Sequence, residues 1–258
     1  MRELTSRDNP AVKALRKLAG GTGRRGEHAL LDGLHLCQAW LAHHGAPEQA
    51  VFDAGRLDRP ALRELAARLP ERVCTALDSR LMRDIASVES GQGVAFLVRP
   101  PQPEPPARIG QACVLFDRIQ DPGNVGTLLR TCAAAGIRRV FLSEGTAAAW
   151  SAKVLRSGQG AHFALDIHEH QDLAALLPRL DVPLVATALA DAVDLYAAEL
   201  PASCAWVFGH EGQGVAPELL AAAALRVSIP HDRSAVESLN VSAAAAICLF
   251  EQRRRHAG

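Results

Sequence analysis

Three short stretches carry groups that can hold an anion, orient a hydroxyl, or bring bare backbone against a ligand. They are Asp121-Pro122-Gly123-Asn124-Val125-Gly126 running on to Arg130, Phe208-Gly209-His210-Glu211-Gly212-Gln213-Gly214, and Ser238-Leu239-Asn240-Val241-Ser242. Asn124 precedes a run with strong helical character, and taken alone it reads as a helix N-cap. Arg130 then lies nearly two turns into the helix, and helical side chains lean toward the N-terminus, so it would reach back over Gly126 and Thr127. A cation beside the positive end of a helix gains the helix nothing, but an anionic phosphate would favour it. In the second stretch, glycines at alternating short intervals permit close backbone approach or positive φ. A tight strand-to-helix turn before Pro217 would account for them equally. Glu211 is harder to account for, because a turn needs no carboxylate between glycines. In the third stretch Ser238 or Asn240 would cap the alanine-rich helix that follows, yet one cap is enough. Both together, with Ser242 one turn further, exceed what a helix start requires.

Other candidate motifs fail on context. Gly21-Thr22-Gly23-Arg24-Arg25-Gly26 matches a dinucleotide fingerprint by letter, but a helix ending near Ala19 precedes it where a strand is needed. It reads as a flexible basic loop that could contact phosphates. No Gly-x4-Gly-Lys-Ser/Thr sequence occurs, which leaves a phosphate-loop nucleotide enzyme with little support. His168-Glu169-His170 and His43-His44 have poor chelate spacing and no third ligand in a matching motif. They read as surface histidines, and no catalytic metal is expected.

Positioning these groups falls to a chain of 258 residues, long enough for two domains. Pro100, Pro101, Pro103, Pro105 and Pro106 cannot sustain a helix or a sheet ladder, so residues 100–107 read as a linker. Before it, at 1–99, Asn9-Pro10 opens a helix with Val12, Leu15 and Leu18 on one face, and Pro60 opens another. Short β-like runs at Val51-Phe52, 72–77 and 94–98 complete a compact α/β sandwich. After it, at 108–258, apolar runs at 112–116, 140–142, 184–186, 205–208 and 227–229 alternate with helical stretches. That is the pattern of a mainly parallel sheet with helices on both faces.

Zero net charge gives no global steering toward a polyanion, so any nucleic-acid affinity must be local. Two basic patches qualify: the run of Arg and Lys between Arg2 and Arg25, and Arg253-Arg254-Arg255. The latter also suits a helix C-terminus. Aromatic content of 4% argues against a base-stacking sheet surface. Six scattered cysteines without a Cys-x-x-Cys pair suggest free thiols. With no apolar run long enough for a bilayer and no signal core, a cytoplasmic location is expected.

In order and content the three stretches resemble the signature motifs of the TrmH/SpoU family of RNA ribose 2'-O-methyltransferases, the knotted SPOUT class. The resemblance implies a deep C-terminal trefoil knot, which no periodicity could show. It also implies S-adenosylmethionine as cofactor, held bent by backbone near Gly209, Ile229 and Leu239 with the Thr187 loop. Asn124, Arg130, Glu211, Ser238 and Asn240 would be the catalytic group. The opening of the chain and Leu31-Asp32-Gly33-Leu34-His35 look like the L30e-like RNA-binding domain that often precedes the catalytic one. Structured RNA would be the substrate, ribosomal RNA rather than tRNA because an extra domain suits a larger partner. A homodimer through the C-terminal domain is expected, with 136–140 and the final helix as candidate faces. The alternatives are a tRNA enzyme and a non-catalytic RNA-binding protein on the same fold.

Overall fold

The computed structural model describes residues 1–20, 27–86 and 91–256, which form two compact units: Met1–Pro101 with Trp150–Phe163, and Gln102–Ala149 with Ala164–Gly258. The Gly21–Gly26 stretch, with Arg24 and Arg25, lies outside the described residues. A sequence reading draws the second domain as one continuous stretch from 108; in the structure Trp150–Phe163 packs with the first unit.

The first unit runs β1 (Arg2–Leu4), α1 (Pro10–Ala19), β2 (Ala29–Asp32), α2 (Leu34–His44), β3 (Gln49–Asp53), α3 (Pro60–Ala67), β4 (Cys74–Leu77), α4 (Ser79–Ile85) and β5 (Val94–Val98). Its sheet has the order β1-β4-β3-β5-β2, with β1, β4 and β3 parallel and β5 antiparallel to both neighbours. Asn9 caps α1 by accepting from the Ala11 N–H, and Pro10 takes the first helical position, where no N–H is needed. Val12 and Leu15 of that helix are buried with Leu81, Met82 and Ile85 of α4. Of the basic run between Arg2 and Arg25, Arg7 and Arg16 reach Asp84, and Lys13 reaches Asp8. β1 and β2 were not anticipated, because three or four residues are too few to show alternation.

The second unit continues with β6 (Cys113–Phe116), α5 (Pro122–Ala135) and β7 (Arg139–Ser143); α6 (Ala152–Gly158) belongs to the first unit. Then follow β8 (Asp166–Gln171), α7 (Leu173–Leu176), β9 (Leu184–Thr187), β10 (Val193–Asp194), β11 (Ala205–Phe208), α8 (Pro217–Ala222), β12 (Leu225–Ser228) and α9 (Val241–His256). The seven strands are all parallel in the order β10-β12-β9-β11-β6-β7-β8. β6 and β11, at the centre, are buried at every residue, as a strand covered on both faces must be. α9 packs on α5 and is also fastened to the loop before β11: the Gln252 carboxamide accepts from Trp206 Nε1 at 2.7 Å and donates to the Pro201 carbonyl at 2.7 Å. Arg255 is not simply a solvated terminal cation, since its guanidinium donates to the Leu195, Tyr196 and Ala198 carbonyls. The six cysteines are free and buried, and burial pushes the Cys113, Cys204 and Cys248 thiols up to about 12.

The prolines between 100 and 106 form neither helix nor strand, yet the segment is anchored within the second unit. Arg179 donates to the Pro105 and Pro106 carbonyls and His168 Nδ1 to that of Pro103. His168 corrects the surface reading: it is buried, stacked on Phe141 with ring centroids 4.8 Å apart. Glu169 beside it is half-buried and accepts from the Ala149 N–H at 2.7 Å. β8 escaped notice because its polar letters Asp-Ile-His-Glu-His-Gln conceal a strand at the sheet edge.

Burial raises the Glu169 carboxyl above its ordinary value, opposed by the Ala149 N–H and by His170. A raised carboxyl contributes stability that is present below its ordinary range and lost as pH rises through the raised value. Glu169→Gln keeps an oxygen for Ala149 and abolishes the charge. We expect it to raise Tm at pH 7. The gain should vanish near pH 4 in calorimetry; a lower Tm at pH 7 would contradict this account.

Candidate active site

Parallel strands place all their carboxyl ends along one sheet edge, and the order β12-β9-β11-β6 makes the loops after these four strands neighbours. Thr187 ends β9, Gly209 follows β11, Ile229 follows β12, and Asp117 to Asp121 follow β6. Residues up to 118 positions apart in sequence meet here for that reason.

Glu211 gathers the first contacts. Its Oε1 accepts from the Asp121 N–H at 3.1 Å and from Asn124 Nδ2 at 3.0 Å, and its Oε2 accepts from the Gln120 N–H at 3.1 Å. The Asn124 carboxamide, oriented by that carboxylate, presents Oδ1 to Asn240 Nδ2 at 3.0 Å and to the Ser242 hydroxyl at 3.2 Å. Asn240 Oδ1 in turn accepts from the Ser242 and Ala243 N–H groups at the start of α9. Asn240 is thus a helix cap and a site residue at once. Asn124 is not a cap: Asp121 fills that role for α5, accepting from the Asn124 N–H at 2.8 Å. The Asp-Pro pair at 121–122 was the available signal, an N-cap followed by a first-turn proline.

The 208–214 stretch is held from β6. Asp117 is buried, accepts from the Ala216 N–H at 2.7 Å, and takes both Nε and Nη2 of Arg118. Arg118, at φ +56°, passes its Nη1 to the Gln213 carboxamide oxygen at 2.9 Å. Nothing in the local sequence marks Asp117 and Arg118, since their partners lie about a hundred residues away. Gly209 is obligatory: a Cβ there would stand 2.2 Å from the Gly214 carbonyl carbon and the Val215 nitrogen.

Two of the sequence candidates stand apart within one chain. Arg130 is exposed and its side chain, among the described residues, makes no hydrogen bond or ion pair; six residues beyond Asn124, it lies about 9 Å further along the helix axis. Ser238 is exposed and has no hydrogen-bond partner among the described residues; Ser242 holds the place beside Asn124. Thr187, Ile229 and Leu239 are half-buried. Loop residues Leu189 and Arg233 to Glu237 line a cavity of about 310 Å³. Arg233 is turned to the Leu189 carbonyl at 3.0 Å, and Leu189 and Val236 are exposed, so the lining mixes aliphatic groups with the polar side chains of Arg233, Ser234 and Glu237. Among the described residues no group of three or more His, Cys, Asp or Glu could hold a metal ion.

Burial pushes the Glu211 carboxyl up, but hydrogen bonds from Asn124 and from the Glu211, Gln120 and Asp121 N–H groups outweigh it and the net shift is down. A depressed carboxylate contributes stability that is present above its ordinary value and lost as pH falls through the depressed one. Amide exchange should therefore show Gln120 and Asp121 protected down through the ordinary carboxylate range and released only below it. In Glu211→Gln, an NH2 replaces one acceptor, and protection should be weak at every pH. Equal protection in the two proteins would refute this reading of the carboxylate.

Comparison with known proteins gives a consistent picture. The model of the SpoU rRNA Methylase family matches residues 111–250. An uncharacterized tRNA/rRNA methyltransferase of Synechocystis is 33% identical, covering 98% of this chain and 93% of its own. The 23S rRNA (guanosine(2553)-2'-O)-methyltransferase RlmP of Bacillus subtilis is 32% identical, covering 98% of this chain and all of its own. The solved AdoMet-bound rRNA methyltransferase of Sinorhizobium meliloti superposes with a TM-score of 0.84 at 27% identity, over 98% of both chains.

Proposed function

Because the chain belongs to the SpoU rRNA methylase family, we propose that it transfers a methyl group from S-adenosylmethionine to a ribose 2'-hydroxyl of ribosomal RNA. The observation that carries the reading is the Glu211, Asn124, Asn240 and Ser242 array, which joins all three candidate stretches at one sheet edge. Full-length relatives that act on ribosomal RNA favour that substrate over tRNA.

The residues present fit the cofactor. The loop ends at Thr187, Gly209, Ile229 and Leu239 offer aliphatic and main-chain groups that suit a purine and a thioether chain, the cavity lined by Leu189 and Val236 also presents Ser234 and Glu237, and its arginine is already bonded to a carbonyl. When bound, S-adenosylmethionine supplies an electrophilic methyl group on a sulfonium. The protein's work is to align the ribose oxygen with that methyl, because in-line displacement depends on orientation. Asn124 and Asn240, locked by Glu211 and by the start of α9, order the ribose together with Ser238. Arg130 binds the substrate phosphate and stabilises the developing alkoxide. A guanidinium stays protonated, so electrostatic stabilisation asks less of it than proton abstraction does.

Arg130 stands off the array within one chain, which fits a homodimer that brings the site together at its interface. Half-exposed Val193, Tyr196 and Phe250 of the second unit offer apolar surface for such contact, whereas Ile137 and Val140, in the 136–140 candidate face, are buried core. The first unit, with its own core and mixed sheet, is the L30e-like RNA-holding module, and the trefoil threading accompanies the second. No helix of the described residues is long and apolar enough to cross a membrane, and the cytoplasm is where this substrate would be met.

The deciding experiment is transfer of labelled methyl from S-adenosylmethionine to RNA from a strain lacking the protein, with the product mapped; no incorporation would sink the proposal. In thermal shift, S-adenosylhomocysteine should raise Tm while ATP and NAD should not. Arg130→Ala should cut transfer by on the order of a hundredfold or more and leave cofactor affinity within a few-fold. Arg130→Lys should fail as well, since a point charge does not reproduce the planar fork. Wild-type rates in either variant would remove Arg130 from its role.

A further inference from the structure

One side chain in the glycine loop does work that the proposed reaction does not assign. Both the Gly212 and Gln213 N–H groups point at Nδ1 of His210, at 2.9 and 3.2 Å. A ring nitrogen that accepts from two N–H donors presents its lone pair, so the proton of the neutral imidazole is on Nε2. The Gly214 N–H closes the same turn on the His210 carbonyl at 2.8 Å. From the other side, Gln213 is gripped by Arg118, itself fixed on buried Asp117. Glu211 sits between these two fastenings, and its carboxylate fixes the Asn124 carboxamide.

We propose that His210, as the Nε2–H tautomer, is the positioning residue that sets the direction of the Glu211 carboxylate and through it the orientation of Asn124. The inference rests on the methyltransferase reading given above. It adds that the imidazole acts as a backbone acceptor, not as an acid or base toward the substrate. Glycine at 212 leaves the loop backbone little side-chain restraint of its own, so the shape must come from the hydrogen bonds the loop makes. Without the acceptor two N–H groups lose their partner, and Glu211 is free to leave the Gln120, Asp121 and Asn124 donors.

The chemistry names its own controls. In asparagine, Oδ1 stands the same number of bonds from Cα as Nδ1 does in histidine, and an asparagine oxygen accepts readily from the N–H two residues on. Phenylalanine keeps the ring volume without the lone pair. Methyl transfer to RNA would be measured for wild type, His210→Ala, His210→Phe and His210→Asn, each first shown to be folded by its melting curve. The Ala and Phe variants should lose on the order of ten- to a hundredfold in kcat, the cost of a misplaced group, with KM for RNA and affinity for S-adenosylhomocysteine within about threefold. His210→Asn should recover most of that loss. Wild-type kcat in the Ala and Phe variants would overturn the proposal, as would an Asn variant as slow as Phe, because the ring itself would then be needed. Long-range 1H–15N spectra of the wild-type protein test the tautomer without any turnover: a bare Nδ1 is expected for His210, and a protonated Nδ1 would overturn the inference. A wild type that methylates no RNA would count against the enzymatic reading, and the tautomer measurement would still decide the loop contact.

Discussion

The site depends on the one-way polarity of a carboxylate. Glu211 can only accept, and it meets two backbone N–H groups and the Asn124 NH2. That contact fixes which way the Asn124 amide faces, so its oxygen must meet donors, and the Asn240 NH2 and Ser242 hydroxyl supply them. The Asn240 oxygen is then committed to the start of α9, whose first free N–H groups require an acceptor. Reasoning from the helix backward gives the same two amide orientations as reasoning from the carboxylate forward. A chain of bonds consistent from both ends has one arrangement, as the proposed positioning of a ribose hydroxyl would demand.

Such a chain needs a scaffold that delivers its members from distant sequence, and the parallel sheet does so cheaply. Buried β6 and β11 place the ends at Phe116 and Phe208 side by side in register. The Asp117 N–H then bonds the Phe208 carbonyl at 2.9 Å, extending the ladder one step into the loops. Gly209 lets the returning backbone at 214–215 cross at a distance no side chain would permit. Glu211 lies three residues past the end of β11, Asn124 in the first turn of α5 and Asn240 at the start of α9, so the loops between are held by the hydrogen bonds that join these groups.

Much of this was legible in the sequence, and the failures have physical causes. Continuous apolar runs and capping residues survived: the runs marked β5 and β11 to the residue, and capping chemistry marked the start of α1. β1 and β2 were missed because three or four residues beside loop-like letters show no alternation, and β8 because its six residues are almost all polar. His168 misled for a related reason: a histidine letter suggests surface, whereas stacking on Phe141 and a bond to the Pro103 carbonyl satisfy it inside. The candidate site was legible as three stretches, since the residue types were out of place for turns and caps. Its internal wiring was not, because Asp117, Arg118 and Gln213 acquire meaning only when strands far apart in the chain become neighbours.

Arg130 poses the remaining question, and it is one of charge. Most described arginines of the second unit have a counter-charge or a carbonyl: Arg108 has Asp181, Arg118 has Asp117, Arg254 and Arg255 have Glu251, and Arg179, Arg226 and Arg233 have carbonyls. Arg130 has neither, on an exposed helix face flanked by Thr127 and Thr131, whose hydroxyls are spent on the carbonyls of Gly123 and Thr127. Water can solvate such a cation at no cost to the fold, so stability does not select its partner. A guanidinium kept clear of carboxylates retains its full field for an arriving phosphate, whose two oxygens match its fork. The acidic group of the site, Glu211, is meanwhile occupied by three donors and does not compete for that arginine. In the proposed reaction, separating the cation from the carboxylate would attract a polyanionic substrate at one point and orient a neutral hydroxyl at another.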